Sequence, residues 1–143
     1  MRRFQLITLA LSVFSLGGGA AANADPCTAI PERGPMPAYL HRGASFRGPV
    51  TYVGDGDSLC VAVGRGAANW VEVRLADFYA PELHEPAGPS AKAALERIAK
   101  GKATVCVADH RSYDRVVARC EVRGIDLGDA LRAAGAVEGG RGR

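Results

Sequence analysis

The chain has 143 residues, 48% of them hydrophobic, and a formal net charge of +3 at pH 7. This length supplies one domain with a modest core. The small net charge excludes a nucleic-acid binder that relies on a basic surface as a whole, so contacts with nucleic acid must come from individual, locally placed arginines.

The first 24 residues are typical of a secretory signal peptide. Arg2 and Arg3 precede an apolar run, Leu6–Leu16, and Ala22-Asn23-Ala24 is a cleavage signal directly before Asp25. The apolar run is too short for a membrane span with these flanks, although an uncleaved anchor is the alternative. We therefore expect an exported protein, periplasmic or secreted, whose mature form has no membrane contact. Cleavage would remove two arginines and lower the net charge to about +1 (16 − 15).

Residues 25–47 predict an extended N-terminal arm, because they are rich in proline, glycine and alanine and show no sustained period. Two short strands are predicted at 50–53 and 59–63, joined by the turn Gly54-Asp-Gly-Asp57. Residues 70–78 alternate and are rich in β-branched and aromatic side chains, which predicts a third strand.

From residue 79 onward the pattern predicts a loop at 79–89 and a helix at 91–100. Two strands at 103–108 and 115–122 and a second helix at 126–134 follow. Ser90 and Asp126 are the predicted N-caps, because short polar side chains accept hydrogen bonds from the first helical N–H groups. This order predicts a mainly β, α+β fold: a five-stranded OB-fold-like barrel with a helix after strand 3 and a C-terminal helix. An α+β sandwich is the alternative. The barrel domain is predicted at 48–137 and a flexible tail at 138–143.

Four cysteines in an exported chain predict two disulfides, and four cysteines allow three connectivities. Zinc binding is the alternative, although no Cys-x-x-Cys spacing occurs. Cys106 and Cys120 lie in consecutive predicted strands joined by a tight connection, so they can pair across a hairpin. That pairing leaves Cys27 to attach the arm to Cys60.

Several charged residues have the chemistry that phosphodiester cleavage requires. Asp55 and Asp57 flank a glycine, so a sharp turn can direct both carboxylates toward a cation, or form an ordinary hairpin turn. Arg74 lies on a strand among apolar neighbours and needs an anionic partner, either a structural carboxylate or a bound phosphate. Glu82 lies in a proline-restrained loop, which suits a general base, and Arg115 begins a strand. Each of these residues alone is more typical of a surface or a salt bridge.

These residues belong to motifs that follow one another along the chain: Asp55-Gly-Asp57-Ser58, Arg74-Leu-Ala-Asp77-Phe-Tyr79-Ala-Pro-Glu82, Gly88-Pro89, Tyr113-Asp-Arg115 and Asp126-Leu127. In this order they resemble the motifs of the staphylococcal (micrococcal) nuclease family, the thermonuclease-like proteins. The resemblance covers residues 49–136, and the arm and the cysteines lie outside the motifs.

The resemblance implies an OB-like barrel that cleaves DNA and RNA with calcium, single-stranded or denatured nucleic acid being the expected substrate. By position, Arg74 and Arg115 would bind the scissile phosphate and stabilise its developing charge. Glu82 would activate or orient the attacking water. Asp57 would bind calcium, with Asp55 close by.

The chain also departs from the family pattern at the metal site. Tyr79 stands where the family has its second calcium-binding aspartate, and a neutral phenol is a poor calcium ligand. Asp77 replaces a glycine two residues earlier, and because residues two apart on a strand share a face, it is the candidate for a displaced ligand. Tyr79 and Tyr113 are further candidates for contact with the substrate. His84 is an additional loop histidine, either exposed or able to bind a metal or a proton.

Three hypotheses follow for this chain, which we expect to be a monomer. The first is an exported, metal-assisted nuclease. The second is a catalytically impaired barrel that binds a phosphorylated ligand or a protein partner, because Tyr79 replaces a calcium ligand. The third is a structural, disulfide-bonded domain of the cell envelope. Retention of Arg74, Glu82 and Arg115 together favours the first.

Overall fold

Six strands and two α-helices make up the fold in the computed structural model, which describes residues 25–139. In chain order they are β1 (Ser45–Val53), β2 (Ser58–Ala62), β3 (Trp70–Leu75), α1 (Gly88–Ala99), β4 (Ala103–Ser112), β5 (Arg115–Val122), β6 (Ile125–Asp126) and α2 (Leu127–Ala133). Short 3-10 helices precede β1 at Ala38–Leu40 and β3 at Ala67–Asn69. The predicted signal peptide, 1–24, and the last residues of the predicted tail, 140–143, lie outside the described residues.

The strands close into a five-stranded barrel with β6 as a short addition, which confirms the predicted OB-fold-like α+β class. The sheet order is β3-β2-β1-β4-β5-β6, and β3 also pairs with β5. That closing contact is parallel and joins Val73 to Val116, Arg74 to Val117 and Leu75 to Ala118. Because both long edges of the sheet are paired, functional groups that contact a ligand must lie on the outer face of the barrel or in its loops.

Alternation along the strands determines which side chains enter the core. In β3, Val71, Val73 and Leu75 are buried while Glu72 and Arg74 face outward. The buried face of α1 includes Ala94 and Leu95, which belong to the hydrophobic core. The charged outer positions of β3 therefore follow directly from its strand period.

The first helix begins earlier than predicted, and the prediction of Ser90 as its N-cap is wrong. The helix starts at Gly88 with Pro89 in its first turn, and Ser90 donates its hydroxyl to the carbonyl of Ala87 at 2.9 Å. Gly88 lies so close to the carbonyl of Glu82 that a Cβ would collide with it. The prediction for the second helix is confirmed, because the carboxylate of Asp126 accepts from the N–H of Asp129 at 3.1 Å.

Two disulfides form in the predicted pairs. Cys106 and Cys120 are directly opposite each other on β4 and β5. Cys27 is joined to Cys60 on β2, so the disulfide attaches the arm to the barrel. Beside it, the backbone of Ala29 donates to the carbonyl of Trp70 at 3.0 Å.

The boundaries of the predicted arm and tail differ from the observed contacts. β1 begins at Ser45, inside the predicted arm, because residues 45–49 pair with β4. At the other end, the N–H of Gly139 donates to the carbonyl of Tyr79 at 3.0 Å. Within the described part of the chain, none of the helices has the length and apolar character needed to cross a membrane.

Candidate functional site

A row of side chains crosses three strands on the outer face of the barrel. Arg74 on β3 is in register with Val117 on β5, and Val117 is in register with His110 on β4. Side chains that are in register on neighbouring strands point to the same face. At about 4.8 Å per strand, the backbones of Arg74 and His110 are roughly 10 Å apart. Both side chains can therefore contact one phosphodiester group that lies between them.

This row forms the floor of an open cavity, which we call the outer cavity. Its volume is about 560 Å³. The residues that line it come from β3, the following loop and the β4–β5 hairpin: Arg74, Leu75, Tyr79, His110, Ser112, Tyr113, Arg115 and Val117. Four of the residues predicted from sequence, two arginines and two tyrosines, are thus brought together.

Arg74 has both an ionic and an aromatic neighbour. Its guanidinium nitrogen lies 3.7 Å from a carboxylate oxygen of Asp57, and its side chain is only 20% exposed. The guanidinium carbon lies 5.9 Å from the centre of the Tyr79 ring, a cation–π distance. Tyr79 therefore holds the arginine from one side while Asp57 balances part of its charge.

Arg115, unlike Arg74, forms no ion pair with the described residues. No carboxylate of residues 25–139 lies within ion-pair distance of its guanidinium. The side chain is only partly exposed and lines the outer cavity. The acid on its own side of the sheet is Glu72, whose pKa is raised to about 8 by burial first and then by the carboxylate of Asp25. Glu72 therefore keeps its proton to a higher pH than a free glutamate and offsets less of the charge of Arg115 than an ionised carboxylate would.

Asp57 is buried and held in place by contacts within the protein. Only 3% of the residue is exposed, and its carboxylate accepts a hydrogen bond from the N–H of Ala80 at 2.8 Å. Burial, followed by the charge of Asp55, raises the pKa of Asp57 to about 6, while Arg74 opposes this shift. The turn packs tightly, because a Cβ on Gly56 would collide with Ala80 and α1. Asp57 thus connects the β1–β2 turn to the loop after β3.

Asp77 lies beside the C-terminal helix. The strand β3 ends at Leu75, so its alternation does not extend to residue 77. The carboxylate of Asp77 lies 3.4 Å from the guanidinium of Arg119, and its backbone carbonyl accepts a hydrogen bond from Arg132. Burial first, and then the neighbouring Asp126, raise the pKa of Asp77 to about 6. None of its hydrogen bonds or ion pairs involves Asp57.

The calcium site that the resemblance implies stays a prediction. Calcium takes six to eight oxygen ligands, and one carboxylate oxygen of Asp57, Oδ2, accepts from the N–H of Ala80 and faces the guanidinium of Arg74. Within residues 25–139, the only three potential ligand side chains that lie within 4.8 Å of one another are Asp25, Cys27 and Cys60. Both sulfurs of that group belong to a disulfide and are not available as thiolates.

Glu82 and Tyr113 occupy different surroundings. Glu82 is in the tight loop before α1, where its N–H donates to the carboxylate of Glu85 at 2.7 Å, and it is not among the residues that line the outer cavity. Tyr113 is at the tip of the β4–β5 hairpin, has a φ of 59° and is 84% exposed. An exposed ring at the rim of the cavity is placed to stack on a flat ligand.

Sequence reasoning missed Asp109 and His110, because the fourth strand was predicted to end at residue 108. The strand continues to Ser112 with an irregularity after Ala108. The only sequence signal was the order of an acid and a histidine next to a short hairpin.

In comparisons with known proteins, no protein-family model and no curated protein matches the chain. The resemblance to the staphylococcal nuclease family therefore rests on the motifs given above.

Proposed function

We propose that this protein binds the phosphodiester backbone of single-stranded nucleic acid in the outer cavity and cleaves it, after export from the cell. The observation that carries the proposal is Arg115, a partly buried guanidinium that lines the same cavity as Arg74 and has no ion-pair partner within residues 25–139. An unneutralised cation in such a position favours an anionic ligand.

The remaining groups of the cavity suit the same ligand. Two guanidinium groups can hold one phosphate through bidentate hydrogen bonds and stabilise the charge that builds on it in the transition state. The rings of Tyr79 and Tyr113 offer surfaces on which bases can stack. Because these contacts are local, they operate at the small net charge of the chain.

Export is supported by the two disulfides, since such bonds persist in oxidising compartments. The calcium dependence that the resemblance implies has no support in the surroundings of Asp57 and Asp77, and it stays a prediction.

Binding without cleavage is the second candidate function. The observation that favours it is the structural use of Asp57, whose carboxylate is bound to Arg74 and to the N–H of Ala80. In that case the outer cavity would hold a phosphorylated ligand and release it unchanged.

An assay of binding and cleavage with one set of variants tests the proposal. Fluorescent single-stranded RNA and DNA oligonucleotides are incubated with the protein in calcium, magnesium or chelator. Arg115→Ala should weaken binding about 10- to 100-fold, the range expected for loss of charged hydrogen bonds. Arg47→Ala is the matched control, because Arg47 is exposed on β1, outside the outer cavity.

Equal losses in Arg115→Ala and Arg47→Ala would contradict the proposed site. Binding that depends on Arg115, with no cleavage of either nucleic acid under any condition, would support the second candidate instead. Arg74→Ala is a less clean variant, because it leaves the buried Asp57 without its arginine and so destabilises the fold.

A further inference from the structure

The strand β4 carries a β-bulge at Asp109. Ala108 is in register with Ala118, but the next pair is His110 with Val117, so Asp109 is an extra residue on this strand. Neighbouring side chains on a regular strand point to opposite faces. Here the bulge brings them together, and Nδ1 of His110 lies 2.9 Å from a carboxylate oxygen of Asp109.

Asp109 is itself held in place by the segment that precedes β1. Its other carboxylate oxygen lies 3.0 Å from Nε of Arg42. The hydrogen bond from His110, ahead of all other effects, lowers the pKa of Asp109, so this carboxylate is ionised at neutral pH. A carboxylate that accepts from Nδ1 fixes the imidazole ring and leaves Nε2 available for a ligand.

The outer cavity is where that nitrogen can act. His110 lines it at the end of the row that begins with Arg74 and passes through Val117. The side chain of His110 is 62% exposed, and its only hydrogen bond within residues 25–139 is the one to Asp109. The charged or titratable side chains that share the cavity are those of Arg74, Tyr79, Tyr113 and Arg115.

We propose that His110 is a catalytic residue of the outer cavity and that the substrate it serves is RNA. The inference rests on the proposed function above and deepens it. Nε2 of His110 accepts the proton of a ribose 2′-hydroxyl while the 2′-oxygen forms a bond to the adjacent phosphorus. The bond from phosphorus to the 5′-oxygen breaks, and the proton passes from His110 to that oxygen. The products are a 2′,3′-cyclic phosphate and a 5′-hydroxyl, so no water, oxidant or reductant is consumed.

This reaction matches the groups that are present. The nucleophile belongs to the substrate and is already next to the phosphorus, which replaces a positioned water. The two arginines stabilise the charge on the five-coordinate phosphorus. The reaction requires neither Asp77, whose carboxylate is paired with Arg119, nor Glu82, which does not line the cavity. DNA lacks the 2′-hydroxyl and cannot follow this route.

The test uses the full disulfide-bonded protein and a labelled RNA oligonucleotide in excess chelator, with an all-deoxy oligonucleotide of the same sequence as a second substrate. We expect cleavage of the RNA alone, with cyclic-phosphate ends. His110→Ala should reduce the rate about 10²- to 10⁴-fold, the contribution usual for a general acid–base group, with oligonucleotide affinity within about twofold of wild type. His84→Ala, an exposed histidine outside the cavity, is the control and should cleave at the wild-type rate.

Asp109→Asn tests the positioning role, because an amide holds the ring less firmly than a carboxylate. It should lower kcat about tenfold and leave KM within about twofold of wild type, since the contacts of the two arginines with the substrate remain. An unchanged kcat would remove Asp109 from the mechanism.

Three results would overturn the inference: wild-type cleavage by His110→Ala, equal cleavage of DNA, or products that carry 5′-phosphates. RNA that is bound through Arg115 but never cleaved would also overturn it, while leaving the binding function intact. Absence of any binding by wild type would instead overturn the proposed function.

Discussion

The stability of the protein should fall as the pH rises from about 5 to 8, because of Glu72. Folding places this carboxyl group in a half-buried position next to Asp25, and its pKa rises from 4.5 to about 8. Between these two values the folded protein keeps a proton that the unfolded chain has lost. Raising the pH through this window therefore favours unfolding, and the effect levels off above pH 8.

The size of the effect follows from the interval between the two pKa values. The difference between 8 and 4.5, at about 1.4 kcal/mol per pH unit, gives an upper limit of about 5 kcal/mol. Solvent reaches part of Glu72 and screens its repulsion with Asp25, so we expect about 2 kcal/mol. Glu72→Gln, which is neutral in both states, should match wild type at pH 5 and exceed its stability by about 2 kcal/mol at pH 9.

Denaturant unfolding at both pH values checks this prediction, and the difference between variant and wild type cancels the other titrating groups. Glu121→Gln, an exposed position on β5, is the control and should leave the pH dependence as in wild type. A stability difference between Glu72→Gln and wild type that is equal at pH 5 and pH 9 would refute the reasoning. It would also remove the argument that Glu72 offsets less of the charge of Arg115 than an ionised carboxylate would.

Two further predictions concern the packing of the barrel. Replacing both Cys106 and Cys120 by alanine should cost about 3 kcal/mol of unfolding free energy, because their disulfide closes a loop with a sequence separation of 14. A loss below about 1 kcal/mol in denaturant unfolding would argue against that contribution. Gly128→Ala should cost about 1–3 kcal/mol, because the added methyl group would meet the carboxylate of Asp77. Gly139→Ala has only an ordinary contact in the same region, so its melting temperature should stay near wild type and serve as the comparison.

Most of the fold can be predicted from the sequence because its signals are local. The alternation of β3 is enough to place Val73 inside and Arg74 outside. The first helix shows the limit of such signals: Ser90 is a good capping residue, but the close approach of Gly88 to Glu82 starts the helix earlier. That contact depends on how the preceding loop folds, which no local pattern encodes.

The candidate site is only partly predictable for the same reason. The fold brings Arg74 and Arg115, both predicted from the motifs, into one cavity. The surroundings of Asp77 are determined by α2, about fifty residues later in the chain, and by Arg119 on β5. The pairing of Asp109 with His110 needs a bulge, and a bulge is a property of strand register.

The most direct test of the central claim is where nucleic acid binds on the barrel. A titration of ¹⁵N-labelled protein with a short all-deoxy oligonucleotide, which His110 cannot cleave by the route proposed here, gives that location residue by residue. We predict that the largest amide shifts occur at Arg74, Tyr79 and residues 110–117. Largest shifts along β1 and β2, or no shifts at saturating oligonucleotide, would contradict the account.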